Sequence, residues 1–192
     1  MALGEFGIAT DHLVIRPLVD SDSSTLYRWL NDPKVLQYYE GRDKPCTCWD
    51  DIYTHYLSKN GDPLLGLMVI LDGQSVGYVQ VYPLDPVESS DWELPAEIWP
   101  LFGMDLFIGE CSLWNRGIGS EVVRLVSRRL LSHHGAKSVV VDPRVTNYRA
   151  IHVYKQCGFR IIKRLSRHEL HEGQFHDCWL MLYQDNSCRS IS

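Results

Sequence analysis

No stretch of this sequence approaches the ~18–20 consecutive apolar residues that a bilayer-crossing helix needs, although 45% of its 192 residues are hydrophobic. Positive charge is also in short supply. Nineteen Lys and Arg against 24 Asp and Glu leave a formal net charge of -5, which argues against nucleic acid as the main partner and suits a cationic one. The six cysteines, Cys46, Cys48, Cys111, Cys157, Cys178 and Cys188, form no paired Cys-x-x-Cys sets. They are expected to be reduced thiols rather than metal ligands or disulfides. The opening MALGEFGIATDH has no basic flank ahead of a long apolar segment, so no secretory signal is expected, and the cytoplasm is the expected compartment. Neither a repeat nor a Gly/Ser linker divides the chain. Its length fits one domain of about 100 to 200 residues, with a core expected over about residues 13–183.

What is present reads as alternating elements. LVIRPL has strand character, and SDSSTLYRWLND opens with polar capping residues and continues with apolar periodicity, predicting a helix that ends near Pro33. Thr47 followed by Asp50 imitates a capping box and predicts a second helix. LLGLMVIL and SVGYVQVY flank Asp72-Gly73, a pair able to take the positive backbone angles of a tight turn, which predicts a hairpin. A long segment from Pro83 to Pro100 carries Glu88, Asp91, Glu93 and Glu97 beside Trp92 and Trp99. It is either a solvated acidic loop or a substrate-binding flap. The second half reads strand (GMDLFIG), helix (Gly119 to about Ser132), strand (SVVVD), helix (Asn147 to Gln156), then two strands (FRIIKRL and HDCWLMLY). The fold class is mixed α/β, with Val122, Val126 and Leu130 of one helix and Ile151 and Tyr154 of the other facing a sheet.

Two motifs carry chemistry. In LWNRGIGS, Gly117 and Gly119 lack side chains, so backbone amides there can approach an anion, and the helix amino terminus adds a favourable dipole. In DPRVTNYRAIHVYKQCGF, Asn147, Ala150, Tyr154, Gly158 and Phe159 follow N-x-x-A-x-x-x-Y-x-x-x-G-F, with Asn147 at a helix start and Gly158 just past its end.

The order and spacing of these two motifs resemble the GCN5-related N-acetyltransferase superfamily. The resemblance implies a GCN5-like fold, a mixed, largely antiparallel sheet split near the cofactor and flanked by helices, and acetyl-coenzyme A as acetyl donor with no metal. It implies that Arg116, Gly117, Ile118, Gly119 and Ser120 surround the pyrophosphate, that Phe107 and Ile108 lie along pantetheine with Asn147 nearby, and that Tyr154 protonates the departing thiolate. Packing in the core is the plain alternative for Tyr154. One departure stands out: Trp114 occupies the place where the family pattern has Gln or Arg three residues before the first of these glycines. The chemistry accounts for the residue types. An amine attacks a thioester only when neutral, so a carboxylate or a water held by one must take its proton, and the developing oxyanion needs a donor such as a backbone amide of a splayed strand.

A narrower resemblance rests on GRDK at Gly41, YVQVY at Tyr78, GMDLFIGE at Gly103, NRGIG, the DP before the second motif, GFRII and HELHEG. Together these are similar to aminoglycoside 6'-N-acetyltransferases, and most of all to the acetyltransferase half of the bifunctional acetyltransferase-phosphotransferase. The resemblance implies a free-standing enzyme, monomer or homodimer, acting on a cationic aminoglycoside, with antibiotic resistance as the outcome. It puts Asp105 beside the acceptor amine, as base or as orienting carboxylate. It makes Asp142 a second substrate carboxylate, Glu172 a further acidic contact, and Tyr38 or Tyr39 an aromatic flank. Asp177, Glu88 and Asp91 either enlarge the negative field or are solvated surface. His168, His171 and His176 fit no strong zinc spacing and are expected at the surface. A protein amino terminus, a polyamine, a siderophore precursor, or a catalytically silent acyl-coenzyme A sensor are the alternatives.

Overall fold

The computed structural model describes residues 6–46, 48–57, 63–87 and 89–185. In chain order its elements are β1 (Ile8–Ala9), β2 (Leu13–Pro17), α1 (Ser23–Trp29), α2 (Pro33–Leu36), α3 (Trp49–Ile52), β3 (Leu65–Leu71), β4 (Gln74–Pro83), β5 (Leu101–Ile108), α4 (Ile118–His133), β6 (Ser138–Val141), α5 (Tyr148–Gln156), β7 (Arg160–His171) and β8 (Gln174–Tyr183). The strands form one eight-stranded sheet in the order β1-β2-β3-β4-β5-β6-β8-β7. Every neighbouring pair is antiparallel except β5 with β6. This is the mixed, largely antiparallel architecture expected from the sequence.

The Asp72-Gly73 turn is as read. Both residues have positive φ, 47° and 78°, and Leu71 pairs with Gln74 on either side, the geometry that matches the twist of a hairpin. The first helix differs from expectation. α1 stops at Trp29, and Pro33 opens α2 instead of ending α1. At the first position of a helix the missing proline N–H costs nothing, and Asp32 caps the turn by accepting from Lys34 N at 2.8 Å. Thr47 lies outside the described residues. α3 begins at Trp49, and Asp51 rather than Asp50 supplies the capping carboxylate, accepting from Cys48 N at 3.1 Å.

One face of the sheet packs α4 and α5, with Val122, Val126 and Leu130 fully buried against Val79, Val81, Met104 and Val139. The opposite face is shared. Over β3, β4 and β5 the helices α1 to α3 bury Leu26, Trp29, Val35 and Ile52 on Met68, Tyr78 and Phe107. Over β6 and β8 the segment between β4 and β5 lays Leu84, Trp92, Leu94 and Trp99 on Val140, Leu180 and Leu182. That segment is therefore packed rather than merely solvated. Lys163 Nζ ties it down, reaching Asp91 O at 3.3 Å, Trp92 O at 3.2 Å and Glu93 Oε2 at 2.7 Å. Glu88 lies outside the described residues.

The parallel contact is short. β5 and β6 are in register only from Leu101 with Ser138 to Gly103 with Val140. Past Gly103 the two strands part, and the sheet opens between them. Among the described residues no helix is long and apolar enough to cross a membrane.

Candidate active site

The opening between β5 and β6 leads into a cleft of about 1040 Å³ that runs from the amino end of α4 to the β7–β8 hairpin. Its first wall is the edge of β5. Gly109 N donates to Val76 O at 2.9 Å, and Gly77 stands opposite Ile108 in the register. In an antiparallel ladder bonded and non-bonded pairs alternate, so the backbone groups of Leu106 and Ile108 point away from β4 toward the opening. Phe107 is in the other phase. Its ring is buried against Tyr39, Tyr78 and Trp29, with centroids 4.7, 5.6 and 6.0 Å away. Of the residues expected to lie along an extended cofactor arm, Ile108 offers a backbone edge and Phe107 offers a ring. Leu106 adds a second backbone edge that the sequence motifs do not single out.

At the end of this edge Trp114 Nε1 donates to Ile108 O at 2.7 Å. The guanidinium of Arg149 lies 3.9 Å from the Trp114 ring centroid. The residue that departs from the family pattern thus forms a flat seat for an arginine borne by α5, and both line the cleft. Gly117 caps α4 with a φ of 85°, a conformation that needs glycine. A Cβ at Gly117 or Gly119 would meet nothing within 4 Å, so their bareness leaves room for a group that is not protein. Ile118 and Ser120 continue the same turn along the cleft, whereas Arg116 is exposed and its side chain does not line it. Asn147 lines the cleft, but its side chain is engaged as the α5 cap, accepting from Ala150 N at 3.2 Å. Exposed amides at a helix start, a nearby arginine and an open strand edge fit a coenzyme A moiety: anion to amides, pantetheine to strand.

The second half of the cleft is acidic and aromatic. On the floor Gln80 stands directly across from Asp105 in the β4–β5 register, and its Nε2 donates to Asp105 Oδ2 at 2.8 Å. Tyr78 Oη in turn donates to Gln80 Oε1 at 3.0 Å. The Tyr82 hydroxyl also favours the charged form of the same carboxylate. The Tyr82 ring lies over Gly103, where a Cβ would come within 2.4 Å of a ring carbon. Burial pushes the Asp105 carboxyl up to about 6 and the charge of Asp142 adds to this, while the Gln80 hydrogen bond and the Tyr82 hydroxyl pull it down. Tyr154 is 7% exposed on α5, and burial raises its hydroxyl pKa, with Asp105 and Asp142 pushing the same way. It remains protonated and can serve only as a donor near neutral pH.

Tyr38 and Tyr39 both line the cleft. Tyr39 packs on Phe107, whereas Tyr38 lies under the guanidinium of Arg144 at 4.9 Å. Arg144 is itself buried, donates to Gln37 O, and places Nε 3.5 Å from Glu169 Oε2. Glu172 is placed elsewhere. It sits at a φ of 51° in the turn between β7 and β8 and accepts from Arg42 Nη2 at 2.7 Å and Arg42 N at 3.0 Å. It does not line the cleft; Glu169, three residues earlier, does. Asp177 is likewise engaged away from the cleft, with Arg164 and the amide of Arg167. The surface placement expected for the histidines is corrected at one position: His171 is 2% exposed with Nδ1 3.3 Å from Glu169. His168 is exposed as expected, on the rim of the cleft with Nε2 3.0 Å from Asp142 Oδ2. Their strand is bulged, which re-aims the side chains along it.

A sheet that parts between two strands, a glycine-started helix at the mouth, and a tyrosine and carboxylates beyond define an acyl-transferring fold. The acetyltransferase (GNAT) domain profile matches residues 19–167, so the chain belongs to that family. Aminoglycoside N(6')-acetyltransferase type 1 of Klebsiella pneumoniae is 24% identical over 164 residues, 83% of this chain and 81% of its own length. AAC(6')-Ib, solved in complex with ribostamycin and coenzyme A, superposes with a TM-score of 0.73 at 22% identity, covering 95% of this chain and 100% of that one. RimL, a ribosomal L7/L12 alpha-N-protein acetyltransferase solved with coenzyme A, superposes with a TM-score of 0.75 at 16% identity, covering 93% and 98%. At these identities the structural likenesses speak for the fold.

Proposed function

We propose that this chain transfers the acetyl group of acetyl-coenzyme A to an amine of a cationic small molecule, and that the acceptor is the 6'-amine of an aminoglycoside. The observation that carries the reading is the Asp105 carboxylate, held by Gln80 on the cleft floor within the field of Asp142 and Glu169. Several carboxylates around one cavity favour a polycation by charge and by hydrogen bonds. The aminoglycoside acetyltransferases among the chain's relatives support the choice of acceptor.

In this reading the amides of Gly117 to Ser120 and the Arg149–Trp114 pair hold the phosphates, and the edge of β5 holds pantetheine. The donor supplies an acetyl thioester. Asp105, with its pKa near 6, is ionised at neutral pH, so it orients the acceptor ammonium and takes its proton. The acceptor nitrogen then forms the amide bond as the carbon–sulfur bond breaks; Tyr154 gives its proton to the thiolate and is reprotonated, by way of solvent, with the second proton that the nitrogen sheds. Both substrates are bound together and transfer is direct. Acetylation at this position exchanges a cation for a neutral amide, the chemistry of aminoglycoside resistance.

The test is release of free thiol from acetyl-coenzyme A in the presence of kanamycin, with a 3-amine-only acceptor as control and the product mapped by NMR. Acetylation at the 6'-amine is the expected outcome. Preference for peptides in a parallel screen would move the chain toward the protein-acetylating branch that shares its fold.

A further inference from the structure

β7 is not a regular strand. Its register against β8 slips between Leu165 and Glu169, and Arg167, a residue with a full side chain, has a φ of 51°. Asp177 on β8 pins this bulge from both ends. Its Oδ1 accepts from Arg167 N at 2.8 Å, and its Oδ2 accepts from Arg164 Nε at 3.0 Å. Bulges re-aim the side chains that follow them. Here the next residue, His168, comes to lie with Nε2 3.0 Å from Asp142 Oδ2, the two side chains 30% and 33% exposed. Trp92 meets the imidazole edge-on from the other side at 6.0 Å. Lys163, on the same strand, fastens the segment that carries Trp92. An ionisable ring is thus braced behind one of the carboxylates that face the acceptor.

We propose that His168 is a positioning residue that sets acceptor affinity: its imidazole fixes Asp142, and its charge decides how much of that carboxylate's field reaches a cationic acceptor. The proposal rests on the reading of the acceptor as a cation. Neutral His168 donates one hydrogen bond and leaves Asp142 with its negative charge. Protonated His168 forms an ion pair that largely cancels it. The titratable groups facing the imidazole are Asp142, at the end of β6, and Glu169, on its own strand. Asp105 faces Asp142 from β5, and Arg144 is engaged with Glu169. The hydrogen bond that His168 donates to Asp142 raises its pKa above the ordinary value, against the opposing effect of burial and with help from Glu169. Histidine ordinarily changes charge between about pH 5 and 8, and the shift here is upward.

The sign follows from competition. A bound proton on His168 and a bound cation at Asp142 draw on the same negative charge, so each weakens the other by the same factor. Acceptor affinity rises as pH climbs through the His168 transition. Coupling between two sites commonly amounts to about 5- to 150-fold, and a partly exposed pair belongs at the low end, about five- to tenfold.

The experiment is calorimetric titration of kanamycin, and separately spermine, into the protein–coenzyme A complex between pH 6 and 8. Wild type, His168→Gln and His168→Ala are compared, with thermal melts to verify folding. Glutamine can still donate to Asp142 but cannot be charged. Titration of the acceptor amines is common to all three proteins and cancels in the ratio, and repeating each titration in an Asp105→Asn background removes the contribution of Asp105. The expected result is a dissociation constant that falls about five- to tenfold more in wild type than in His168→Gln. His168→Ala should bind more weakly than His168→Gln at pH 8, because Asp142 loses its brace. Equal pH dependence in wild type and His168→Gln overturns the role of His168 and leaves the cationic acceptor in place. If neither kanamycin nor spermine binds wild type at any pH, the cationic acceptor itself is wrong and the role of His168 falls with it.

Discussion

Tyr82→Phe removes one hydroxyl from the cleft floor and leaves the ring that lies over Gly103. That hydroxyl favours the charged form of Asp105, whose pKa stands at about 6 because burial and Asp142 outweigh the Gln80 hydrogen bond and the Tyr82 hydroxyl. A hydrogen bond to a charged acceptor contributes about 1.5–3 kcal/mol, or roughly one to two pKa units. The lower figure is appropriate because Gln80 stays in place at 2.8 Å and the cleft admits water. Loss of the donor destabilises the ionised form, so the pKa rises, to roughly 7. With Asp105 required in its charged form, activity limited by that ionisation falls about fivefold at pH 6, about twofold at pH 7 and hardly at all at pH 8.5. The assay is kcat/KM for the acceptor against pH, run in a His168→Gln background so that the imidazole does not titrate in the same range. An acid limb that coincides with or without the Tyr82 hydroxyl, or a loss uniform across pH, would refute the reasoning.

Four further outcomes are expected. Arg149→Ala should raise KM for acetyl-coenzyme A about three- to tenfold with little change in kcat, because it removes a cation and leaves the Trp114–Ile108 bond intact; an unchanged KM would disconnect the pair from the phosphates. Tyr154→Phe should lower kcat roughly 100-fold, at the low end for loss of a general acid, while acetyl-coenzyme A affinity measured by calorimetry holds; full turnover would leave the tyrosine as packing against Phe159. Gly103→Ala should destabilise the fold by about 1–3 kcal/mol in urea titration, since its methyl must displace the Tyr82 ring. Asp177→Ala should weaken kanamycin binding as His168→Ala does, although Asp177 does not line the cleft, because it frees the bulge that aims His168.

The parts of this molecule that local chemistry dictates are legible in the sequence. Asp72-Gly73 announces its turn, and the Asn147-to-Phe159 spacing announces a capped helix and its stop. What depends on register is not. Gln80 and Tyr82 look like ordinary strand residues until β4 is laid against β5. The connection between those strands is too long to fix a pairing as a two-residue turn does, so their effect on Asp105 cannot be read from it. The same holds around HELHEG. Without the bulge at Arg167, alternation gives no means of choosing between Glu169, which lines the cleft, and Glu172, which pairs with Arg42. Pro33 misleads for a different reason: a proline breaks a helix it follows but suits one it begins, and only the observed end of α1 at Trp29 tells the two apart.

The Arg42–Glu172 contact has a meaning beyond holding a turn. Tyr38 to Glu40 and Lys44 form one bank of the cleft and His168 to Leu170 the other. Arg42 and Glu172, 130 residues apart in sequence, are the stitch between the banks. The spacing of the banks thus includes an ion pair at the protein surface, a kind of bond that dissolved salt weakens. Should the proposed acceptor lie between them, the fit of large and small acceptors would depend on the medium as well as on the chain: tighter in dilute buffer, more permissive as ionic strength rises.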